Sequence, residues 1–370
     1  MSTGQPHDSR KPTDADRETI LITGASGLIG SRVSRLLSEQ FNVVGFDLEP
    51  PTDFDAGVDF IATDLTKDAN VERSIEQVRE RYGARLVSVI HLAAYYDFSG
   101  EPSPLYDELT VEGTRRLLTG LRNRDFDVEQ FLFSSSLLVM KPGDAGKHLS
   151  EFSEVQGEWP YPESKLRAEE VIRKERGDIS TVILRIAGVY DEECHSWPVS
   201  QQMARIYERQ FESFVFPGDT DHGQALVHLD DLADCIRKAV LRRNHLNKHE
   251  LFLIAEPDVM SYSELQHELG ELIHGSEWPA IRIPKAVAKA GAWVQNRLAG
   301  DEAAGIRPWM IDLADDHYEA TIAHARSRLA WEPTHRLRRT LPKMVRSLKD
   351  DPESFYRENG LPVPESVAQG

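Results

Sequence analysis

The stretch Thr19–Leu37, TILITGASGLIGSRVSRLL, decides the fold. TILIT is an apolar run of strand length, and after it Leu28, Val33, Leu36 and Leu37 share one face of a helix. Between strand and helix, Gly24, Gly27 and Gly30 form a G-x-x-G-x-x-G loop. A tight turn there needs residues without a Cβ, and so does close approach of a pyrophosphate to the backbone. The helix N-terminus then turns unpaired N–H groups towards the phosphates.

The next strand, NVVGFD, ends on Asp47. A carboxylate there can accept hydrogen bonds from both hydroxyls of an adenosine ribose and repel a 2′-phosphate. The pattern predicts a dinucleotide site for NAD rather than NADP, with Arg32 as a nearby residue that could complicate the preference. Asp64, closing a third strand in VDFIATDL, either holds the adenine edge or caps the following helix.

Strands and helices go on alternating. KDANVERSIEQVRERYG is a helix with a stripe of Val71, Ile75 and Val78. RLVSVIHLAA and VEQFLFSSS are the fourth and fifth strands, on either side of a helix through PLYDELTVEGTRRLLTGLRN, and STVILRIAGVY is the sixth. Such alternation implies parallel pairing with right-handed crossovers, an α/β, Rossmann-type doubly wound sheet. Beyond Tyr190 the pattern loosens into a smaller C-terminal α+β lobe for substrate. The expected organisation is a disordered leader (1–17), an NAD-binding domain (18–190, with later pieces near 225–256), a partly interleaved substrate lobe (191–348) and a C-terminal tail (349–370) whose last residues, LPVPESVAQG, look frayed.

Ligands of doubly wound sheets sit beyond the carboxyl ends of the strands. Ser134, Ser135 and Ser136, ending the fifth strand, therefore fall where a nicotinamide should lie. Tyr161 and Lys165 open the next helix one turn apart, in WPYPESK, with Pro160 and Pro162 suited to a first turn. A free phenol titrates at about 10. A lysine ammonium and a positive nicotinamide ring would favour the phenolate, so Tyr161 could exchange a proton with a substrate hydroxyl or carbonyl while the cofactor exchanges hydride.

The chain of 370 residues carries a net charge of −18, which argues against nucleic-acid and anionic-membrane partners. Its two cysteines, Cys194 and Cys235, lack metal-ligand spacing and point to reduced, packed thiols in a reducing compartment. The 13 histidines show no ligand cluster, so no metal is expected. No apolar run has the length of a membrane span, and MSTGQPHDSRKPTDADRE lacks the apolar core of a signal peptide, so the expectation is a cytoplasmic protein.

Taken in order, TGASGLIG, HLAA, FSSS, YPESK, LRIAGVY and VHLDDLA resemble the extended short-chain dehydrogenase/reductase family, the NAD-dependent epimerase/dehydratases, over about Thr19–Glu256. The resemblance implies a catalytic Ser136, Tyr161 and Lys165, with Ser135 as the alternative serine and Lys165 also bonding the nicotinamide ribose. It implies cofactor contacts from Gly24, Ser26, Gly27, Leu28, Ile29, Gly30, Asp47, Asp64, Leu65, Leu92, Ala93, Ala94 and Ser134. It also implies a homodimer through the helices around LYDELTVEGTRRLL and PESKLRAEEVIRK.

Three positions depart from the sugar-nucleotide members: Thr110 and Gly188 stand where asparagines are common, and Gln224 where an arginine grips nucleotide phosphates. A glutamine cannot replace that bidentate clamp. Weight moves towards less charged alcohols and ketones. Tyr95, Tyr96 and Phe98, with Trp159, Tyr190 and Trp197, are either an apolar substrate wall or packing between lobes, and Ser135 and Gly188 are further substrate candidates. The leading expectation is an NAD-dependent oxidoreductase of a secondary alcohol or ketone. The alternatives are an epimerase or dehydratase that keeps its NAD, and a non-catalytic NAD-binding sensor.

Overall fold

The structure is a computed structural model that describes residues 17–51, 57–97, 100–290 and 308–368. Residues 1–16 of the expected leader, Phe98, and the last two residues lie outside the described residues.

Among the described residues thirteen strands run in chain order. β1 (Thr19–Thr23), β2 (Asn42–Asp47) and β3 (Val58–Ala62) precede β4 (Arg85–Leu86), β5 (Ser88–His91), β6 (Asp127–Val128), β7 (Gln130–Ser136) and β8 (Ser180–Ile186). Then come β9 (Gly188–Tyr190), β10 (Val215–Pro217), β11 (Leu226–His228), β12 (His249–Ile254) and β13 (Ile281–Ile283). Seven form one parallel sheet in the order β12-β8-β7-β5-β1-β2-β3. The order reverses direction between β1 and β5, and the resulting crevice is where a doubly wound sheet binds its ligand.

Side-chain alternation sorts the strand residues into two cores. Ile20, Ile22 and Leu132 face a layer with α1 (Leu28–Ser38) and α6 (Leu229–Leu241). Leu21, Phe131 and Phe133 face α2 (Asp68–Tyr82), α3 (Glu112–Asn123) and α4 (Pro160–Glu175). Buried on both faces, the strands are near-continuous apolar runs, as parallel sheets require.

Three segments read as single strands are broken, one of them, VEQFLFSSS, at Glu129 between β6 and β7. Val87 separates β4 from β5. The sixth stretch leaves the sheet at Ala187, and β9 pairs instead with β11, so the chain turns out of the sheet to line a cleft. The helix through PLYDELTVEGTRRLL opens as a π-helical turn, Tyr106–Val111, before becoming α3. A third core joins α5 (Trp197–Tyr207) and α7 (Tyr262–His274) to the helix Leu337–Asp350, giving the lobe.

Within the stretch 191–348, expected to be a partly interleaved lobe, Tyr318, Ala320, Ile322, Ala325, Leu329 and Trp331 pack with α1 and α6 in the first core. The first part of the C-terminal tail packs onto the lobe. Phe355 and Tyr356 are 1% exposed inside the lobe core, and Leu361 is buried there too. Among the described residues no helix is long and apolar enough to cross a membrane.

Candidate active site

The glycine loop is shaped by two steric demands and one vacancy. Gly24 has φ +71°, and a Cβ on it would lie 2.8 Å from the Ala93 nitrogen. A Cβ on Gly30 would lie 1.9 Å from the Gly24 carbonyl oxygen. Gly27 differs: its backbone is ordinary extended chain, and its Cβ would meet only the Gly24 oxygen at 3.5 Å. The protein's own packing does not require glycine there, whereas a phosphate lying on the loop would.

Gly27 is the N-cap of α1, with no side-chain cap bond and no acidic residue in the first turn, so these N–H groups remain available to an anion. Asp47 is already oriented, its Oδ2 accepting from the Ser26 N–H (3.0 Å) and its Oδ1 from the Leu48 N–H (2.8 Å). Arg32 is drawn away into an ion pair with Asp230 (2.7 Å), which leaves Asp47 to set the preference at the ribose. These residues fit NAD.

Gly27→Ala is accordingly expected to leave the thermal midpoint of the free protein unchanged or slightly raised and to weaken NAD binding at least about tenfold. Gly30→Ala should lower both, because it must displace the Gly24 backbone. Melting curves with and without NAD separate the two cases.

Of the other predicted cofactor contacts, Asp64 accepts from the Thr66 N–H (2.9 Å) and hydroxyl (2.6 Å). It closes a turn ahead of α2 rather than capping it, since the N-cap is Lys67. Leu65 is buried in the second core. Ile29 reaches the cleft, and Leu92 and Ala93 back the Gly24 turn.

His91 was overlooked in the sequence. Its Nε2 lies 2.8 Å from the Thr114 hydroxyl, which itself donates to the Thr110 carbonyl (2.6 Å), so Nε2 carries the proton. Nδ1 then accepts from the Thr23 hydroxyl (2.6 Å), and Thr23 in turn accepts from the Ala93 N–H (3.3 Å). Burial holds the imidazole neutral, down at about 3. One histidine thus ties β1, β5 and α3 together beneath the cofactor loop.

At the carboxyl end of β7 the three serines diverge. Ser136 hydrogen-bonds the Tyr161 phenol and caps the Leu138 N–H (3.2 Å). The Ser134 carbonyl accepts from Lys165 Nζ (2.7 Å). Ser135, one step out of phase, turns to the α4 face and gives its hydroxyl to Glu169. Period-two alternation points it away from the cleft.

Pro160 opens α4 as expected, and Tyr161 sits between Trp159 (ring centroids 5.5 Å) and Tyr96 (4.8 Å, edge-on). Burial raises Tyr161 to about 12, opposed by the Ser136 hydrogen bond. Burial lowers Lys165 to about 7, opposed by Glu169 one turn below, which is itself paired with Arg185 (2.9 Å). The lysine was expected to pull the tyrosine down. In the chain by itself desolvation moves both groups towards their neutral forms instead.

Tyr161 and Ser136 open onto a cleft of about 1370 Å³ between the sheet and the lobe. Ile186, Val199, Leu226 and Met260 line it, as do the predicted Tyr96, Trp159, Gly188 and Trp197, with Gln224 at its wall. Tyr95 instead packs edge-on against Tyr106 (4.8 Å), and the Thr110 hydroxyl accepts from its N–H (3.0 Å). Tyr190 is fully buried, with its hydroxyl on Glu256. Neither lines the cleft.

Two acid–histidine groups do form among the described residues, His228–Asp230–His335 and Asp191–Glu193–His195. The rings of His228 and His335 stack 3.9 Å apart at 14°, so their in-plane lone pairs run parallel and cannot converge on one ion. In the second group His195 Nδ1 is paired with Asp191 (2.6 Å).

Fold and site together describe a dinucleotide-dependent enzyme with a serine, a tyrosine and a lysine at the cofactor cleft. Residues 20–255 match the NAD dependent epimerase/dehydratase family, and the chain belongs to it. It is 25% identical over 296 residues, 74% of this chain and 72% of the relative, to short-chain dehydrogenase/reductase family 42E member 1 of Macaca fascicularis. It is 28% identical over 198 residues, 47% of this chain and 51% of the relative, to the decarboxylating sterol-4-alpha-carboxylate 3-dehydrogenase of Candida albicans. The Thermus thermophilus UDP-glucose 4-epimerase complex with NAD shares the fold, with TM-score 0.65 at 20% identity over 90% of this chain and 99% of that one. The protein is an NAD-dependent enzyme of the oxidoreductase or epimerase/dehydratase kind.

Proposed function

We propose that the protein interconverts an apolar secondary alcohol and its ketone, with Ser136, Tyr161 and Lys165 as the reacting machinery. The observation that carries this reading is the apolar lining of the cleft onto which Tyr161 opens, with neutral Gln224 at its wall. When bound, NAD supplies the hydride acceptor and a positively charged ring. Ser136 donates to and positions the substrate oxygen, and Tyr161 takes the hydroxyl proton. A phenol held up at about 12 is a poor base at neutral pH, so the proton moves readily only once positive charge enters the cleft. Lys165 would contribute to that charge in its protonated form and would hold the cofactor ribose.

Incubation with NAD and a panel of apolar secondary alcohols is expected to accumulate NADH, read by absorbance. An enzyme that epimerises or dehydrates would return its hydride and accumulate none. Turnover of UDP-sugars with no NADH from any apolar alcohol would overturn the reading.

We further propose that the protein is cytoplasmic and works as a homodimer through the Tyr106–Asn123 and α4 helices. Sedimentation at micromolar concentration tests the assembly, and a monomer would refute it.

A further inference from the structure

Arg205 lies on α5 and lines the cleft. Among the described residues it is the one lysine or arginine of that lining, and no ion pair joins it to a carboxylate. Its guanidinium donates to the neutral Gln201 amide oxygen (3.1 Å), while Glu212 and Tyr262 act on it only through space. Burial works against its charge. A half-buried guanidinium with unspent donors facing an apolar cavity is unfavourable on its own and becomes favourable when a bound anion supplies the missing charge. The planar fork suits a carboxylate held by two parallel hydrogen bonds.

The charge balance of the cleft limits how negative that ligand can be. Glu158, Glu212 and Asp316 share the lining with Arg205. A nucleoside diphosphate would bring two or more charges against one guanidinium in a cavity that already holds three carboxyl groups. A single carboxylate on an apolar body adds the least negative charge to that cavity, and the Arg205 fork offers it two parallel donors.

We infer that Arg205 determines substrate choice by binding a carboxylate carried by the apolar alcohol or ketone. This rests on the apolar-substrate reading above. The alternative is that Arg205 merely sits in the last turn of α5, where a cation complements the helix dipole. A dipole role would not distinguish an acid from its amide.

Binding to the full chain loaded with NAD tests the inference without needing hydride transfer, and the cleft residues Trp159 and Trp197 serve as fluorescence reporters. The probes are apolar monocarboxylates from decanoate to deoxycholate, each paired with its own primary amide, together with uridine diphosphate. Wild type is expected to bind at least one acid about tenfold or more tightly than its amide. Arg205→Gln should reduce that preference to about twofold or less, and Arg205→Lys should keep part of it. NAD affinity and the melting temperature should be unchanged in both variants, which guards against misfolding.

An acid preference that survives Arg205→Gln would overturn the inference. So would equal binding of every acid and its amide, or uridine diphosphate binding more tightly than any acid. If no apolar secondary alcohol, with or without a carboxylate, yields NADH while the acid preference holds and depends on Arg205, the oxidoreductase reading falls and the anion site stands.

Discussion

Tyr161→Phe is expected to lower turnover by about 10² or more while NAD binds within about threefold of wild type. The ring should stay in place, because its position is set by Trp159 and Tyr96 and by burial rather than by the hydroxyl. What is lost is the group that receives the substrate proton, and with it the partner of Ser136. Turnover measured with saturating NAD, beside a fluorescence titration of NAD, gives the two numbers separately. In the alcohol-to-ketone direction wild type should also show a limb of kcat/KM that rises with pH as the phenol ionises, and the variant should lack it. Full turnover in the variant would remove Tyr161 from the mechanism.

Ser136→Ala should be milder. It takes away an oxygen-positioning hydrogen bond and one influence that lowers the Tyr161 pKa, and leaves the proton acceptor itself.

The fold was legible where its signals are local. In Thr19–Leu37 a strand period, a glycine turn and a helix period follow one another within twenty residues, and each is fixed by neighbours in sequence. That Tyr161 and Lys165 share one helix face was legible for the same reason: they lie one turn apart in a helix that opens on prolines either side of the tyrosine. Alternation along β7 also held enough information to separate Ser136 from Ser135, since consecutive strand residues face opposite ways.

Contacts between distant residues were not legible. The stacking of His228 on His335 depends on residues more than one hundred positions apart. The packing of Ala325 and Leu329 against α6 also depends on how the lobe closes back on the sheet. Tyr190 was one of the aromatics read as either a substrate wall or packing between lobes, and it is packing, because its strand has left the sheet at Ala187 and turned the ring inward. The Glu169–Arg185 pair beneath Lys165 left one usable trace, an arginine in the otherwise apolar run VILRIA. A charged residue inside such a strand demands a buried partner.

Lys165→Met should separate chemistry from folding. Lys165 is 3% exposed, its Nζ donates to the Ser134 carbonyl (2.7 Å), and burial brings it down from 10.5 to about 7. Between those two values the unfolded chain holds a proton at this site that the folded chain does not. The folded pKa is depressed, so the stability contributed by this group is present above 10.5 and is lost as pH falls towards 7. It changes by about 1.4 kcal/mol per pH unit. Methionine is similar in length, apolar and does not titrate, and every other ionisable group is common to both proteins. The unfolding free energy of wild type minus that of the variant should therefore climb by about 4 kcal/mol from roughly pH 7 to pH 10. At neutral pH the variant should be at least as stable as wild type. Its turnover should nonetheless fall by about 10² or more, since the cleft then lacks the cation that makes Tyr161 a competent base. Urea titrations across that pH range give the first result and steady-state kinetics the second. A stability difference that does not change with pH would mean that Lys165 titrates like a solvated amine. A variant with full turnover would mean that the charge acting on Tyr161 comes from elsewhere.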